Sequence, residues 1–88
     1  MKILAKKIDM LSSTMEDEKP HPIRFRIRKK DSEEKMVIRV QKVISIDTNK
    51  TAGKLSYVYR CQSEINGLLR DYELKYKISE CQWELYKM

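Results

Sequence analysis

Residues 57–76 read YVYRCQSEINGLLRDYELKY, and they contain the clearest turn signal in the chain. Asn66 and Gly67 are the dipeptide preferred in two-residue β-hairpin loops, because both residues tolerate positive φ. A turn there sets apolar residues opposite one another on one face: Ile65 with Leu68, Cys61 with Tyr72, Tyr59 with Leu74, Tyr57 with Tyr76, and Leu55 with Ile78. The other face pairs Arg60 with Glu73 and Gln62 with Asp71. A slip of one residue would destroy both patterns, so the stretch predicts a half-buried antiparallel hairpin.

The alternation continues on both sides of this hairpin. A turn at Ser79 and Glu80 predicts Ile78 opposite Cys81, Tyr76 opposite Trp83, Leu74 opposite Leu85 and Lys75 opposite Glu84. Turns through residues 30–35 and 48–53 predict Ile27 opposite Ile38, Phe25 opposite Val40, Ile46 opposite Leu55 and Ile44 opposite Tyr57. The predicted strands are approximately residues 22–30, 35–47, 54–64, 67–78 and 81–87.

These strands predict an all-β fold, an antiparallel meander of five to six strands in one domain, residues 1–88. Residues 1–21 are expected to form a strand or a short helix, with a polar loop that ends in two prolines. The inner face carries five large rings with polar ends: Tyr57, Tyr59, Tyr72, Tyr76 and Trp83. We therefore expect a strongly curled sheet or a small open barrel closed by residues 3–11.

Composition points to a small basic protein. The chain has 88 residues and a formal net charge of +6, which allows one modest core and favours attraction to polyanions. It contains no apolar run of about 18 residues, and lysines interrupt the apolar part of MKILAKKIDM. We expect a cytoplasmic protein with no membrane segment.

The residue types needed for catalysis or metal binding are scattered. His21 stands alone between two prolines, and Cys61 and Cys81 are twenty positions apart with no CxxC spacing. We expect both cysteines to be buried free thiols. The two glycines, Gly53 and Gly67, lie in turns, which leaves no phosphate-cradling loop. The sequence predicts no enzyme, no cofactor and no metal.

Residues 21–30, HPIRFRIRKK, alternate apolar residues with arginine. In the predicted register Arg26 lies opposite Arg39, and like charges directly across a strand pair are destabilising. One interpretation is a contact surface for nucleic acid or another polyanion, formed by Arg24, Arg26, Arg28, Lys29, Lys30 and Arg39. The other is that these charges protect an edge strand against aggregation.

Lys42 is the one charged residue in the inward series of residues 38–46, and the predicted register sets it opposite Tyr59. One hypothesis is an inner-face pocket in which Lys42 and Tyr59 hold a small anion among tyrosine hydroxyls. The alternatives are a lysine whose amine reaches solvent at a sheet edge, or a bulge near Gln41 that turns it outward.

The segments PIRFRIR, VIRVQKVIS, YVYRC, YELKY and WELY follow one another between residues 22 and 88. This layout resembles small uncharacterised bacterial all-β domains of unknown function, in which an arginine-flanked strand precedes a meander that ends in a tryptophan strand. The resemblance implies a bacterial protein and brings no activity or site residue with it. Some such proteins look to be encoded near DNA-repair genes, which implies a link to nucleic acid.

These observations lead to two expectations of function. The first is a non-enzymatic basic binding module that contacts nucleic acid backbone through its arginine-rich strand. Nearly all rings point inward, with Tyr86 the exception, which favours backbone or duplex contacts over base stacking. The alternative is a module for binding a protein partner or forming a homodimer, with a basic edge strand and no nucleic acid.

Overall fold

The computed structural model describes residues 1–16, 18–28 and 35–88. The fold in this part of the chain is all-β and antiparallel, as the alternation predicted. Its strands are β1 (Ile3–Lys7), β2 (Asp9–Ser13), β3 (His21–Arg28), β4 (Lys35–Arg39), β5 (Lys42–Thr51), β6 (Lys54–Ile65), β7 (Leu68–Lys77) and β8 (Gln82–Lys87). A 3-10 turn at Ile78–Glu80 joins β7 to β8. The N-terminal segment forms two strands, which settles the choice between strand and helix.

The strands are arranged in two sheets, which corrects the expected strongly curled sheet or small open barrel. One sheet has five strands in the order β1-β8-β7-β6-β5, and the other has three in the order β2-β3-β4. The chain changes sheet twice, at Ile8 and again at Val40 and Gln41. The predicted strand 35–47 is therefore two strands that belong to different sheets. Residues 3–11 do not close a barrel, because β1 pairs with β8 in the large sheet while β2 pairs with β3 in the small one.

The central hairpin has the predicted register. Ile65 pairs with Leu68, and the backbone partners continue as predicted through Cys61 with Tyr72, Tyr59 with Leu74 and Tyr57 with Tyr76. Asn66 and Gly67 both have positive φ, 52° and 78°, as a two-residue hairpin loop requires. The pairs of β7 with β8 are also confirmed at Tyr76 with Trp83, Leu74 with Leu85 and Lys75 with Glu84. The pairing ends before Ile78, which lies in the 3-10 turn and therefore does not face Leu55.

Two other predicted registers were wrong. The turn between β5 and β6 consists of Ala52 and Gly53 alone, so Leu55 pairs with Lys50 and Tyr57 with Thr48. The six-residue loop expected at residues 48–53 does not exist, because Ala52 adopts a φ of 52° without the glycine or asparagine that usually signals it.

The register of β3 with β4 differs from the prediction by two residues. Phe25 pairs with Ile38, and Ile27 pairs with Met36. The turn predicted through residues 30–35 falls almost wholly on residues 29–34, which lie outside the described residues. Because a shift of two residues preserves the faces of both strands, the inward and outward assignments still hold.

The core lies between the two sheets. Phe25, Ile27 and Ile38 from the small sheet form one buried cluster with residues of the large sheet: Tyr59, Cys61, Tyr72, Leu74, Trp83 and Leu85. The ring of Phe25 packs 5.6 Å from that of Tyr72, and Trp83 packs 4.9 Å from Tyr76. The contact of Phe25 with Tyr72 holds the inner side of the small sheet against the large one. The outer side of the small sheet faces solvent.

Candidate functional site

Among the residues whose side chains the structure describes, three arginines lie on the exposed side of the three-stranded sheet. Phe25 and Ile27 are buried, so the alternating residues Arg24 and Arg26 point outward from β3, and Arg39 does so from β4. We call this surface, with Arg24, Arg26 and Arg39, the arginine face.

Backbone pairing orders the arginine face into two rows across the sheet. In one row Leu11, Arg24 and Arg39 are successive register partners. In the other, Asp9, Arg26 and Val37 are partners. The predicted pairing of Arg26 with Arg39 was wrong: Arg39 lies opposite Arg24, so a like-charge pair is present with a different member, and Arg26 lies opposite Val37.

One acidic side chain balances part of this charge. Arg26 Nη2 donates to Asp9 Oδ2 at 3.4 Å, with both side chains at least half exposed. An exposed pair of this kind contributes about 0 to 1 kcal/mol. In the two rows, three arginines stand against one aspartate, and within the described residues no carboxylate lies within salt-bridge distance of Arg24 or Arg39. The arginine face is therefore net positive.

Of the remaining predicted contact residues, Arg28 is the last residue of β3. The next backbone pair joins Arg28 to Lys35, so the basic sequence continues along the sheet, although these two side chains are not described. Lys29 and Lys30 lie outside the described residues.

The outer face of the five-stranded sheet has a different charge pattern. Opposite charges or hydrogen-bonding partners face each other there: Arg60 with Glu73, Gln62 with Asp71, and Lys75 with Glu84. Gln62 Nε2 donates to Asp71 Oδ1 at 2.9 Å. Positive charge is mixed with negative on this sheet and concentrated on the small one.

The arginine face is slightly concave. A groove of about 390 Å³ runs over part of it, lined by Asp9, Leu11, Arg24, Arg26 and Val37 and by Met10 and Phe25 beneath them, with Arg39 outside the lining. Leu11 and Val37 are exposed at its two sides. Guanidinium groups in such a groove have aliphatic neighbours. Aliphatic groups form no hydrogen bonds with the guanidinium groups, so these donors stay available to a bound anion.

The position of β3 corrects one interpretation of the arginine row. Edge protection requires the charges to lie on an edge strand. In the structure β3 is the middle strand of its sheet, paired with β2 on one side and β4 on the other. Arg24 and Arg26 therefore protect no edge, whereas Arg39 lies on the end strand β4, where edge protection still applies.

Ser63 fixes the corner at which the chain leaves the arginine face. Its hydroxyl is fully buried, donates to the carbonyl of Arg39 at 2.7 Å and accepts from the backbone N–H of Gln41 at 3.2 Å. The Tyr72 hydroxyl lies 2.6 Å from the same oxygen, so Tyr72 donates and all three contacts are satisfied. Gln41 Oε1 in turn accepts from the N–H of Glu64 at 2.9 Å.

Sequence reasoning missed this corner. The signal that could have revealed it is a serine in the inward series of β6, where its neighbours Tyr59 and Cys61 are core residues. A buried hydroxyl needs partners, and here those partners come from a strand more than twenty positions away.

Burial also shifts the ionisation of groups around this core. The pKa of Tyr72 is raised to about 12, chiefly by burial, against the opposing effect of the Ser63 hydrogen bond. Burial raises the pKa of the Cys61 thiol to about 12. Both groups are neutral over the ordinary pH range, and neither is available as a nucleophile or base there.

The structure does not bring Lys42 and Tyr59 together. Lys42 pairs with Gln62 and is exposed, whereas Tyr59 pairs with Ile46 and is fully buried. The two-residue turn at Ala52 and Gly53 sets Tyr59 opposite Ile46 instead of Lys42, and the bulge between Val43 and Ser45 sets Lys42 opposite the outward Gln62. The Tyr59 hydroxyl donates to the carbonyl of Pro20. Burial is the largest cause of the raised pKa of Tyr59, and the nearby Tyr57, Tyr76 and Cys61 raise it further.

The other chemistry-bearing residues are dispersed. Cys61 is buried as expected, but Cys81, expected to be buried too, is exposed at the end of the 3-10 turn, just before β8. His21 is exposed and pairs with Ser13 through the backbone. Among the residues that the structure describes, no three His, Cys, Asp or Glu side chains are grouped as a metal site would need. The described part of the chain also has no helix of the length and apolarity needed to cross a membrane.

Comparison with known proteins finds no matching family model, no similar curated sequence and no similar solved structure. The arginine face must therefore be interpreted from its own geometry.

Proposed function

We propose that the protein is a non-enzymatic binding module whose arginine face contacts the phosphate backbone of nucleic acid. The observation that carries the proposal is the direct opposition of Arg24 and Arg39 on a solvent-exposed face with one acidic residue in its two rows. Like charges placed opposite each other destabilise the free sheet. A phosphate between them replaces that repulsion with two charge-assisted contacts.

The spacing of the arginines suits a chain of phosphates. Arg24 and Arg26 are two residues apart on β3, which corresponds to about 6.7 Å along an extended strand. This repeat is comparable with the separation of successive phosphates along one nucleic-acid strand. A strand laid along β3 would meet one phosphate at the row of Arg24 and the next at the row of Arg26.

Arginine is the residue type that suits this role. Its planar guanidinium presents several N–H donors in a fixed fork, which binds phosphate oxygens in pairs and remains charged at every accessible pH. Leu11 and Val37 border the groove, so a bound phosphate would be partly shielded from water, which strengthens the contact.

The proposed recognition does not read bases. The rings of Phe25, Tyr59 and Tyr72 are buried between the sheets. Tyr86 lies on the other sheet, where the ammonium groups of Lys75 and Lys87 are 4.5 and 5.2 Å from its ring centre. Contacts to backbone alone predict binding that tolerates any base sequence and weakens steeply with salt.

The proposal places the protein in the cytoplasm. The free thiols of Cys61 and Cys81 agree with a reducing compartment such as the cytoplasm. Other polyanions offer the same oxygen chemistry, so heparin is the comparison that separates nucleic acid from a general polyanion.

The test compares two variants with the same loss of charge. One replaces Arg24, Arg26 and Arg39 with Gln, and the other replaces Lys54, Arg60 and Arg70, which are exposed on the large sheet. Anisotropy of a labelled single strand and a labelled duplex measures Kd at two salt concentrations. We expect the first variant to lose at least tenfold more affinity than the second. Equal losses would show a net-charge effect without a site, and wild-type protein that fails to bind at low salt would leave a protein-interaction module as the function.

A further inference from the structure

The structure has one long strand with a free edge in its described part. β5 stands at the end of the five-stranded sheet, pairs only with β6, and is ten residues long. All of its side chains except Val43 are exposed. The other end strands, β1, β2 and β4, have five residues each. A row of unpaired backbone groups on a strand this long is a template for pairing with another strand.

The part of β5 beyond its bulge has little of the protection that edges normally carry. Residues 45–51 form a regular ladder with β6, and Asp47 and Lys50 are the only charged residues among them. Ile46 is 37% exposed on the side of the sheet that carries Tyr59. It remains half covered in a single copy of the chain.

We propose that two copies of this chain pair antiparallel through residues 45–51 of β5, with Thr48 opposite its own symmetry mate. Ile46 then faces Lys50, Asp47 faces Asn49 and Ser45 faces Thr51. Thr48 and Ile46 share the face of Tyr57 and Tyr59, so this register keeps the inner faces of both copies on the same side. The two large sheets become one sheet of ten strands.

Self-complementarity selects this register over its neighbours. Because facing residues must point to the same side, the strands can shift against each other only in steps of two residues. One step toward the bulge places Asp47 opposite Asp47, with like charges across the pair. A second step brings the bulge between Val43 and Ser45 into the new ladder and leaves only residues 45–47 in regular pairing. One step the other way leaves Ile46 without a facing residue. In the chosen register the methylene stem of Lys50 covers Ile46.

The first test is a symmetry-specific cross-link. Thr48→Cys and Thr51→Cys are made in a Cys81→Ser background, because Cys81 is the exposed thiol and Cys61 is buried. Directly opposite residues have Cα atoms about 4.5 to 5.5 Å apart, within the range of a disulfide, whereas the two copies of residue 51 are about 20 Å apart.

With oxidised glutathione as the oxidant, we expect the Thr48→Cys protein to form a covalent dimer and the Thr51→Cys protein to stay a monomer. Equal cross-linking of the two variants would overturn the register, as would no cross-linking of either.

The second test needs no cysteine and no nucleic acid. Asn49→Lys places an ammonium opposite Asp47 twice in each dimer, whereas Asn49→Asp places a carboxylate there. Each opposite-charge pair is worth about 0.2 to 1 kcal/mol, so Asn49→Lys should tighten the dimerisation Kd about 2- to 30-fold. Asn49→Asp should weaken it over a similar range. Sedimentation equilibrium measures both, and a wild-type protein that stays monomeric up to millimolar concentration, or two variants with the same Kd, would overturn the proposal.

Discussion

Arg24 lies directly opposite Arg39 across β3 and β4, on the exposed side of the three-stranded sheet. This relationship makes an unusual prediction about stability. Arg39→Gln should raise the free energy of unfolding by about 0.2 to 1 kcal/mol, because it removes a like-charge pair. Urea unfolding at low salt measures the change.

The matched control is Arg60→Gln, which removes an exposed arginine that faces Glu73. That variant should lose stability by a similar small amount, because its pair is attractive. A loss of stability in Arg39→Gln equal to that of the control would contradict the proposed repulsion.

The buried hydroxyl of Ser63 leads to a second prediction. It joins the carbonyl of Arg39, the N–H of Gln41 and the hydroxyl of Tyr72. Ser63→Ala leaves these groups without a partner and should destabilise the fold by about 1 to 3 kcal/mol for each group that stays unsatisfied. Thermal unfolding measures the loss, with Ser12→Ala at an exposed position of β2 as the control. An equal effect in the two variants would show that the corner at Gln41 does not depend on Ser63.

The raised pKa values predict loss of stability at alkaline pH. Burial raises the pKa of Cys61 from 9.0 to about 12 and that of Tyr72 from 10.0 to about 12. The folded protein favours the neutral forms, so their contribution is complete below pH 9 and falls as pH rises toward 12. Urea unfolding at a series of pH values should show a steep fall in this window. Cys61→Ala should show a shallower fall, and a slope identical to that of wild type would exclude Cys61 as a cause.

Ala52 offers a stabilising substitution. It has a φ of 52° in the two-residue turn before Gly53, a conformation that disfavours residues with a Cβ. Ala52→Asn creates the Asn-Gly dipeptide that such turns prefer and should add about 0.5 to 1 kcal/mol. Gly53→Ala is the comparison: a Cβ there would meet no atom within 4 Å, so its expected loss of stability comes from the φ of 80° alone. A neutral effect of both would show that this turn relaxes freely.

The sequence predicted local pairings well and long-range ones poorly. The turn at Asn66 and Gly67 is decided by its own two residues, and the register of β6 with β7 follows from it. The only sign of the break at Val40 and Gln41 in the sequence was Lys42 in the inward series, for which a bulge near Gln41 was one alternative; the change of sheet itself was not predicted, because the apolar alternation resumes beyond Lys42. Contacts with Ser63, 22 and 24 positions away, determine where the chain changes sheet.

The candidate site was predicted in part for the same reason. Arg24, Arg26 and Arg39 share a face because alternation alone fixes the side of a strand. Their partners were assigned wrongly, with Arg26 instead of Arg24 opposite Arg39, since residues 30–35 contain no decisive turn signal to fix the register of β3 with β4. β3 is the central strand because β2 pairs with it on the side away from β4. The residues between β2 and β3 contain no turn signal that predicts this pairing.

The salt dependence of nucleic-acid binding tests the central claim most directly. Kd for a labelled single strand is measured over a series of salt concentrations for wild type and for Arg24→Gln. If the three arginines contact phosphates, the logarithm of the association constant should fall with the logarithm of salt with a slope of about −2 or steeper, and Arg24→Gln should flatten that slope by about 0.7. A wild-type protein that does not bind at low salt, or a slope that Arg24→Gln leaves unchanged, would contradict the account.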